Sequence, residues 1–364
     1  MATFWLRINA ALLSMMLIVG IAIVALLATR AYGGPLDPTG PPSSTLPQVE
    51  PRIPIDHVPF TISAAGSYFL TRDVTGPANT GDGITIASDD VTLDLNGFSV
   101  IGTAADTSQV HGFGITVSSV PRHNIVIRNG VVRDWNYGIV GDRAHQSRID
   151  GVRAYNNKWE GIRGGTDTTI TDCSSASNGE FGIESFGGTV QHCEVDGNTS
   201  AGIFVTDNSI VKDNSVHNNL FDGIDVANNA DVEGNSIIAS GGQGIVASGS
   251  ANVIKDNMVQ GSAKNGIDVL NNSTVEGNTV VQNNYSNTVG ASGILSAGNN
   301  NGITANHVTH NFMQDILLAG SSSLVRGNST QLSIVDLSGF NLVGPEVGML
   351  SISTNPYPDA NFRE

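Results

Sequence analysis

Between residues 130 and 340 the chain has no proline and few leucines, and its apolar side chains come in bursts too short for a ten-residue helix. That excludes helical repeats and the Leu-x-x-Leu-x-Leu pattern of a leucine-rich repeat. Basic residues are also few, 17 against 33 acidic ones, giving a formal charge of −16 with no basic cluster longer than a residue or two. Such a surface repels a phosphate backbone, so no nucleic-acid partner is expected. The excess of acid fits a solvated extracellular surface, and it is compatible with a neutral glycan or with an acidic glycan bridged by calcium.

What is present is repetition. In "NSIVKDNSVHNNLFDGIDV", residues 208–226, Val, Ile and Phe recur between polar pairs, and "NADVEGNSIIASGGQGIVAS" and "NSTVEGNTVVQNNYSNTVGASGILS" repeat the order. Gly precedes Ile at Gly83, Gly114, Gly138, Gly161, Gly182, Gly202, Gly223, Gly244, Gly266 and Gly293, and Asp315 takes the slot once more. From Gly114 the steps are 24, 23, 21, 20, 21, 21, 22, 27 and 22 residues, while Gly302-Ile303 falls out of phase. Nine residues before most of these positions stand Asn129, Val152, Cys173, Cys193, Asn214, Asn235, Asn257 and Asn306. Short alternating bursts such as "IVIRNGVV" read as strands. Each repeat is therefore one coil, and coils stack in parallel about 4.8 Å apart. The chain is expected to be all-β, a parallel β-helix solenoid of about eleven coils spanning 59–335, with loop insertions near 101–112 and 283–291. Asn amides would bond along the stack, and Gly would permit a bend or a close backbone approach.

The "VxxNxV" and "GI" coils, with the opening "PFTISAAGSYFLTRDVTG" and "GITIASDDVTLDLNGFSVIG", resemble the right-handed parallel β-helix, pectate-lyase-like superfamily, in its bacterial secreted type. The resemblance covers about residues 60–335 and implies the right hand, which spacing alone does not. It implies no single activity, because the superfamily holds lyases, hydrolases, epimerases, tailspikes and adhesins. The Asp-Pro-His-Glu motif of alginate epimerases is absent, and the adjacent pair Asp89-Asp90 stands in an early turn rather than on the proposed face.

Residues 1–32 carry Arg7, an uncharged stretch from Ala10 to Ala28, then Arg30. As a helix that stretch would reach about 28 Å, so it reads either as a cleaved signal peptide or as a retained membrane anchor. The expected location is secreted, periplasmic or cell-surface, with the membrane touched only through this segment. Residues 33–58 are a Pro-rich spacer, and 336–364 form a C-terminal cap or tail over the last coil. Oligomeric state is not readable. Cys173 and Cys193 hold the same position in consecutive coils, within reach of a disulfide in an exported protein, with two buried thiols as the alternative.

Function should lie where side chains leave the repeat. With Ile inward, the next residue faces out, giving a column that includes Arg163, Glu184, Asp225 and Asp268, the candidate catalytic residues. Beside it, just before Gly, stand Trp159, Glu160, Phe181, Phe221, Asp222 and Lys264, the candidate substrate-binding residues. Rings among carboxylates suit a polysaccharide, since rings stack on sugar faces and carboxylates accept from hydroxyls. Glu184 to Asp225 and Asp225 to Asp268 are each two coils apart, about 9.6 Å between backbones, near the separation an inverting hydrolase needs. Arg163 beside Glu184 would equally suit β-elimination from a uronate, or be an ordinary ion pair. Binding without catalysis, a lyase or hydrolase acting on an acidic glycan, and a purely structural surface role are therefore all carried forward. No cofactor is required, Ca²⁺ is compatible with the acidic face, and no metal-ligand set is readable.

Overall fold

Each coil consists of three short strands, as in Ile203–Val205, Ser209–Lys212 and Ser215–His217, after which Ile224–Val226 begins the next. In this computed structural model, residues 52–76, 81–103, 112–348 and 360–363 are described. The Gly-Ile strands stack into a thirteen-stranded parallel sheet, here the front face, running from Phe60–Ile62 to Ile334–Asp336. The other two faces join as one sheet because Ile125–Arg133 and Arg148–Tyr155 pass round the bend without a break. The fold is thus an all-β parallel solenoid of about twelve turns. The eleven expected coils are all there, and the two further front strands, Phe60–Ile62 and Ile334–Asp336, lack the Gly-Ile pair by which coils were counted.

Register follows the sequence columns. Ile203 pairs with Ile224 and Ile224 with Ile245, and these isoleucines are fully buried in one continuous apolar stack. The out-of-phase Gly302-Ile303 lies on a different face, where Gly302 pairs with Thr274. In the phased positions glycine is needed for space: a Cβ on Gly202 would lie 2.6 Å from Asn219 Nδ2 and 2.6 Å from Val216 Cγ1.

The asparagines form ladders through the bends. Asn214 donates both its backbone N–H and its side-chain amide to Asn235 Oδ1, each at 2.9 Å, and Asn235 does the same to Asn257. Each asparagine of the ladder thereby satisfies one backbone donor of the coil before it and passes its own amide to the next coil. A second ladder begins at Asn157 and runs through Asn178, Asn198 and Asn219. Its members stand four residues before Gly-Ile, a regularity present in the sequence but masked by Ser240 and Ser262 in the same slot.

Cys173 and Cys193 open the first ladder, and here the expectation of a disulfide is corrected: both are free, buried thiols. Cys173 Sγ donates to Thr171 O at 3.2 Å and Cys193 Sγ to Gln191 O at 3.2 Å, while the Cys193 N–H donates to Asn214 Oδ1. The sulfurs fill the small slot that Asn occupies lower down, each with a carbonyl of its own coil.

The ends differ in detail from the sequence boundaries. Ile53–Ile55, placed in the spacer, already pairs with Tyr68–Leu70. Asn361, from the tail, returns to accept from Asn328 at 3.1 Å and extends the first ladder. The expected signal or anchor at 1–32, most of the spacer and residues 104–111 of the first loop lie outside the described residues. Among the described residues no helix is long and apolar enough to cross a membrane.

Candidate functional site

The alternation of a front strand decides what faces out. Ile162 and Gly164 turn inward and Arg163 outward, and register carries this column through Glu184, Phe204, Asp225, Val246 and Asp268. All four expected catalytic residues therefore share one face. The bend before each strand places a second column beside the first, so that Glu160 flanks Arg163, Phe181 flanks Glu184, Asp222 flanks Asp225 and Asn265 flanks Asp268.

At the upper end these columns converge. Arg163 Nε donates to Glu184 Oε2 at 2.6 Å, and its Nη2 donates to Glu160 Oε1. This is no ordinary surface pair, since Glu160 is 3 % exposed and Glu184 7 %. Burial raises Glu160 from 4.5 to about 7, opposed by Arg163 and aided by Glu184. Burial likewise raises Glu184, against the pull of Arg163. One guanidinium serves two desolvated carboxylates, and Glu160 Oε2 is left without a hydrogen-bond partner.

Aromatic rings border this cluster. Trp159, half-buried on the bend, stacks on Tyr137 of the preceding coil at 6.5 Å and 29°, and Tyr137 in turn has the Arg163 guanidinium 5.5 Å from its centroid. Lys158 Nζ lies 5.3 Å from the Trp159 ring. One coil on, Phe181 stacks on Phe204 at 5.2 Å. Tyr137, whose hydroxyl is raised by burial and by Glu160, is the residue the sequence-based assignment undervalued. It stands immediately before Gly138, the same slot that marked Glu160 and Phe181.

The lower end is acidic. Asp225 is raised to about 6 by burial and by Asp222, with a hydrogen bond from Ser248 opposing, and its Oδ1 has no partner. Asp268 is also raised to about 6 by burial, against hydrogen bonds from Asn265 and Gln243. Asn265 Nδ2 bridges Gln243 Oε1 at 2.7 Å and Asp268 Oδ2 at 3.2 Å. Gln243 was not singled out from sequence; its position just before Gly244 was the available signal. Phe221 and Lys264 are exposed on the rim. The second inserted loop starts beside them, where the Asn284 N–H donates to Lys264 O at 2.8 Å and the Ser286 N–H to Ala263 O at 3.2 Å.

The face is a low strip, its carboxylates desolvated by neighbouring side chains. Open hollows lie on other surfaces, one of about 400 Å³ lined by Gly130, Arg153 and His192, and one of about 460 Å³ behind Lys158. Asp89-Asp90 serves a turn away from the strip, with Asp89 Oδ1 accepting from the His123 N–H at 2.9 Å and Asp90 Oδ1 from Asn124 Nδ2 at 2.8 Å. Among the described residues no group of three or more His, Cys, Asp or Glu is arranged to hold a metal ion.

The family model described as a right-handed β-helix region matches residues 62–221 and 189–330, most of the chain. The chain belongs to that family. Among solved structures it is similar to the A-module of mannuronan C-5 epimerase AlgE4 from Azotobacter vinelandii, with 15 % identity, 80 % of this chain and 90 % of that one covered, and a TM-score of 0.57. It is similar to a tailspike protein of E. coli bacteriophage HK620 in complex with a pentasaccharide, with 14 % identity, 84 % and 71 % covered, and a TM-score of 0.55. The periplasmic alginate epimerase AlgG shares 14 % identity over 86 % of this chain and 76 % of its own, with a TM-score of 0.51. At these identities the likeness is one of fold. No curated protein sequence matches the chain.

Proposed function

We propose that the protein acts outside the cytoplasm and binds an extended polysaccharide along the front face, from Trp159 to Asp268. The observation that carries this reading is the register. Stacked rings at the upper end and desolvated carboxylates at both ends share one face across six consecutive coils, a track of about 24 Å at the coil spacing. Rings offer flat apolar area at small entropic cost, and the half-buried carboxylates Asp225 and Asp268 can accept from sugar hydroxyls. The names of two neighbours, a mannuronan epimerase and a tailspike with a bound pentasaccharide, support the choice of ligand class. The test is a glycan array followed by calorimetry on the wild type and Trp159→Ala, with and without Ca²⁺. Loss of binding in the variant is expected; unchanged binding would move the site, and an empty panel would favour a structural role. Detection of the intact protein only inside the cytoplasm would overturn the export reading.

A second reading, cleavage of the bound glycan, is favoured by one specific feature. Glu160 titrates near 7 and Asp225 and Asp268 near 6, so each carboxyl exchanges its proton close to neutrality, as a general acid or base must. Asp225 and Asp268 stand two rungs apart, compatible with an inverting pair. New reducing ends, lost in Asp225→Asn and in Asp268→Asn, would establish hydrolysis; unsaturated uronates would establish elimination instead.

A further inference from the structure

The strip's charges also bear on what kind of sugar it takes. Along the two columns the carboxylates Glu160, Glu184, Asp222, Asp225 and Asp268, with Glu180 on the bend close enough to act on Glu160 and Glu184, outnumber three cations, Lys158, Arg163 and Lys264. Arg163 is committed to Glu160 and Glu184 together. Lys158 stands against the Trp159 ring. Lys264 sits exposed at the rim.

The unmet hydrogen-bonding capacity along the strip is that of acceptors. Glu160, 3 % exposed, keeps Oε2 without a partner beside the Arg163 cluster, and Asp225 Oδ1 is buried and unpartnered at the other end. These two oxygens are closed to solvent, so the acceptors a ligand meets first are the accessible parts of the half-buried Asp225 and Asp268. A hydroxyl supplies a donor without bringing a charge; a sugar carboxylate supplies only further acceptors and like charge in a poorly hydrated setting.

Resting on the reading of this face as a polysaccharide track, we propose that its ligand is an uncharged glycan, whose hydroxyls donate to Asp225 and Asp268, and that polyuronates are excluded by the strip's own carboxylates. The mechanism of exclusion is charge alone. Removing the lower carboxylates should therefore admit the polymer they repel, while Trp159 continues to supply the stacking surface.

The experiment uses three matched pairs of hexasaccharides, in the manno, gluco and galacto series, each differing only in a hydroxymethyl or a carboxylate at C6, together with a glucosamine hexamer. Calorimetry on the full chain should show one uncharged hexamer binding at least about tenfold tighter than its uronate partner, since like-charge contact costs kilocalories and each tenfold is 1.4 kcal/mol. The gap should narrow in 0.5 M salt and in the triple variant Asp222→Asn, Asp225→Asn, Asp268→Asn, whose fold is checked by circular dichroism. Should the triple variant not fold, the salt series on the wild type decides alone. Preference for a uronate hexamer, with or without Ca²⁺, or for the glucosamine hexamer would overturn the uncharged assignment. If that preference were still lost in Trp159→Ala, the polysaccharide track would stand. No binding by any hexamer would overturn both readings together.

Discussion

Arg163 Nε and Glu184 Oε2 meet at 2.6 Å across one rung of the front sheet, while the same guanidinium reaches back to Glu160 on the preceding bend. Two carboxylates buried on one cation leave the folded state readier to hold a proton than the unfolded chain. Glu160 has a folded value near 7 against an ordinary 4.5, so its protonated form favours folding. That contribution is complete below about 4.5 and is lost as pH rises through about 7.

The wild type should accordingly unfold at a higher denaturant concentration at pH 5 than at pH 8. The Glu160 part of the difference is on the order of 2–3 kcal/mol, with Asp225 and Asp268 acting in the same direction. Glu160→Gln should flatten the profile between those values. A wild-type profile that rises from pH 5 to pH 8 would contradict the burial of these carboxyls.

Neighbouring residues of one strand should respond in opposite ways. Ile224 is fully buried, so Ile224→Asp places a carboxylate in the apolar stack and should cost several kcal/mol. Asp225 faces out but is desolvated with one unpartnered oxygen, so Asp225→Asn should be neutral or stabilise by up to about 1 kcal/mol at pH 8, with the gain shrinking toward pH 5. Similar chemical-denaturation midpoints for the two variants would mean that the strand phase is wrong.

Two Gly-Ile pairs give a matched comparison. Gly202→Ala forces a methyl against Asn219 and Val216 and should cost about 1–3 kcal/mol. Gly302→Ala meets nothing within 4 Å and should stay within about 0.5 kcal/mol of the wild type. Thermal melts of the pair measure the difference directly.

Thiol titration under denaturing, non-reducing conditions should return two thiols per chain, and in the native state neither should react quickly. Both sulfurs are buried, and Cys173 is held above the usual thiol range by its contact with Cys193 and by burial. Recovery of no thiols after denaturation would show that the pair oxidises.

The coils were readable because a solenoid writes its geometry into spacing. Gly-Ile marked the front strands, and the Asn column marked one bend. Ile334–Asp336 escaped because no front strand follows it among the described residues, and the close approach that demands glycine is toward the following coil; Phe60–Ile62 escaped because Pro59 stands where later coils have Gly. For the site, the phase of alternation placed Arg163, Glu184, Asp225 and Asp268 on one face. It did not show that Arg163 would be shared by two buried carboxylates, because burial of an outward residue depends on how neighbouring side chains lie across it. Tyr137 shows the same limit: its slot was readable, and its packing between Trp159 and Arg163 was not.

Asn283 and Gly293 stand ten positions apart, where Asn219 and Gly223 stand four apart, yet Asn283 still donates to Asn311 Oδ1 at 2.9 Å. The amide stack keeps its pitch although one coil carries extra chain. Contour length and register are thus uncoupled at this corner, which makes it a natural splice point. Segments of different length exchanged there would inherit a fixed base next to Lys264 and Asp268, so this rim of the face can diversify while the stacked coils keep their register.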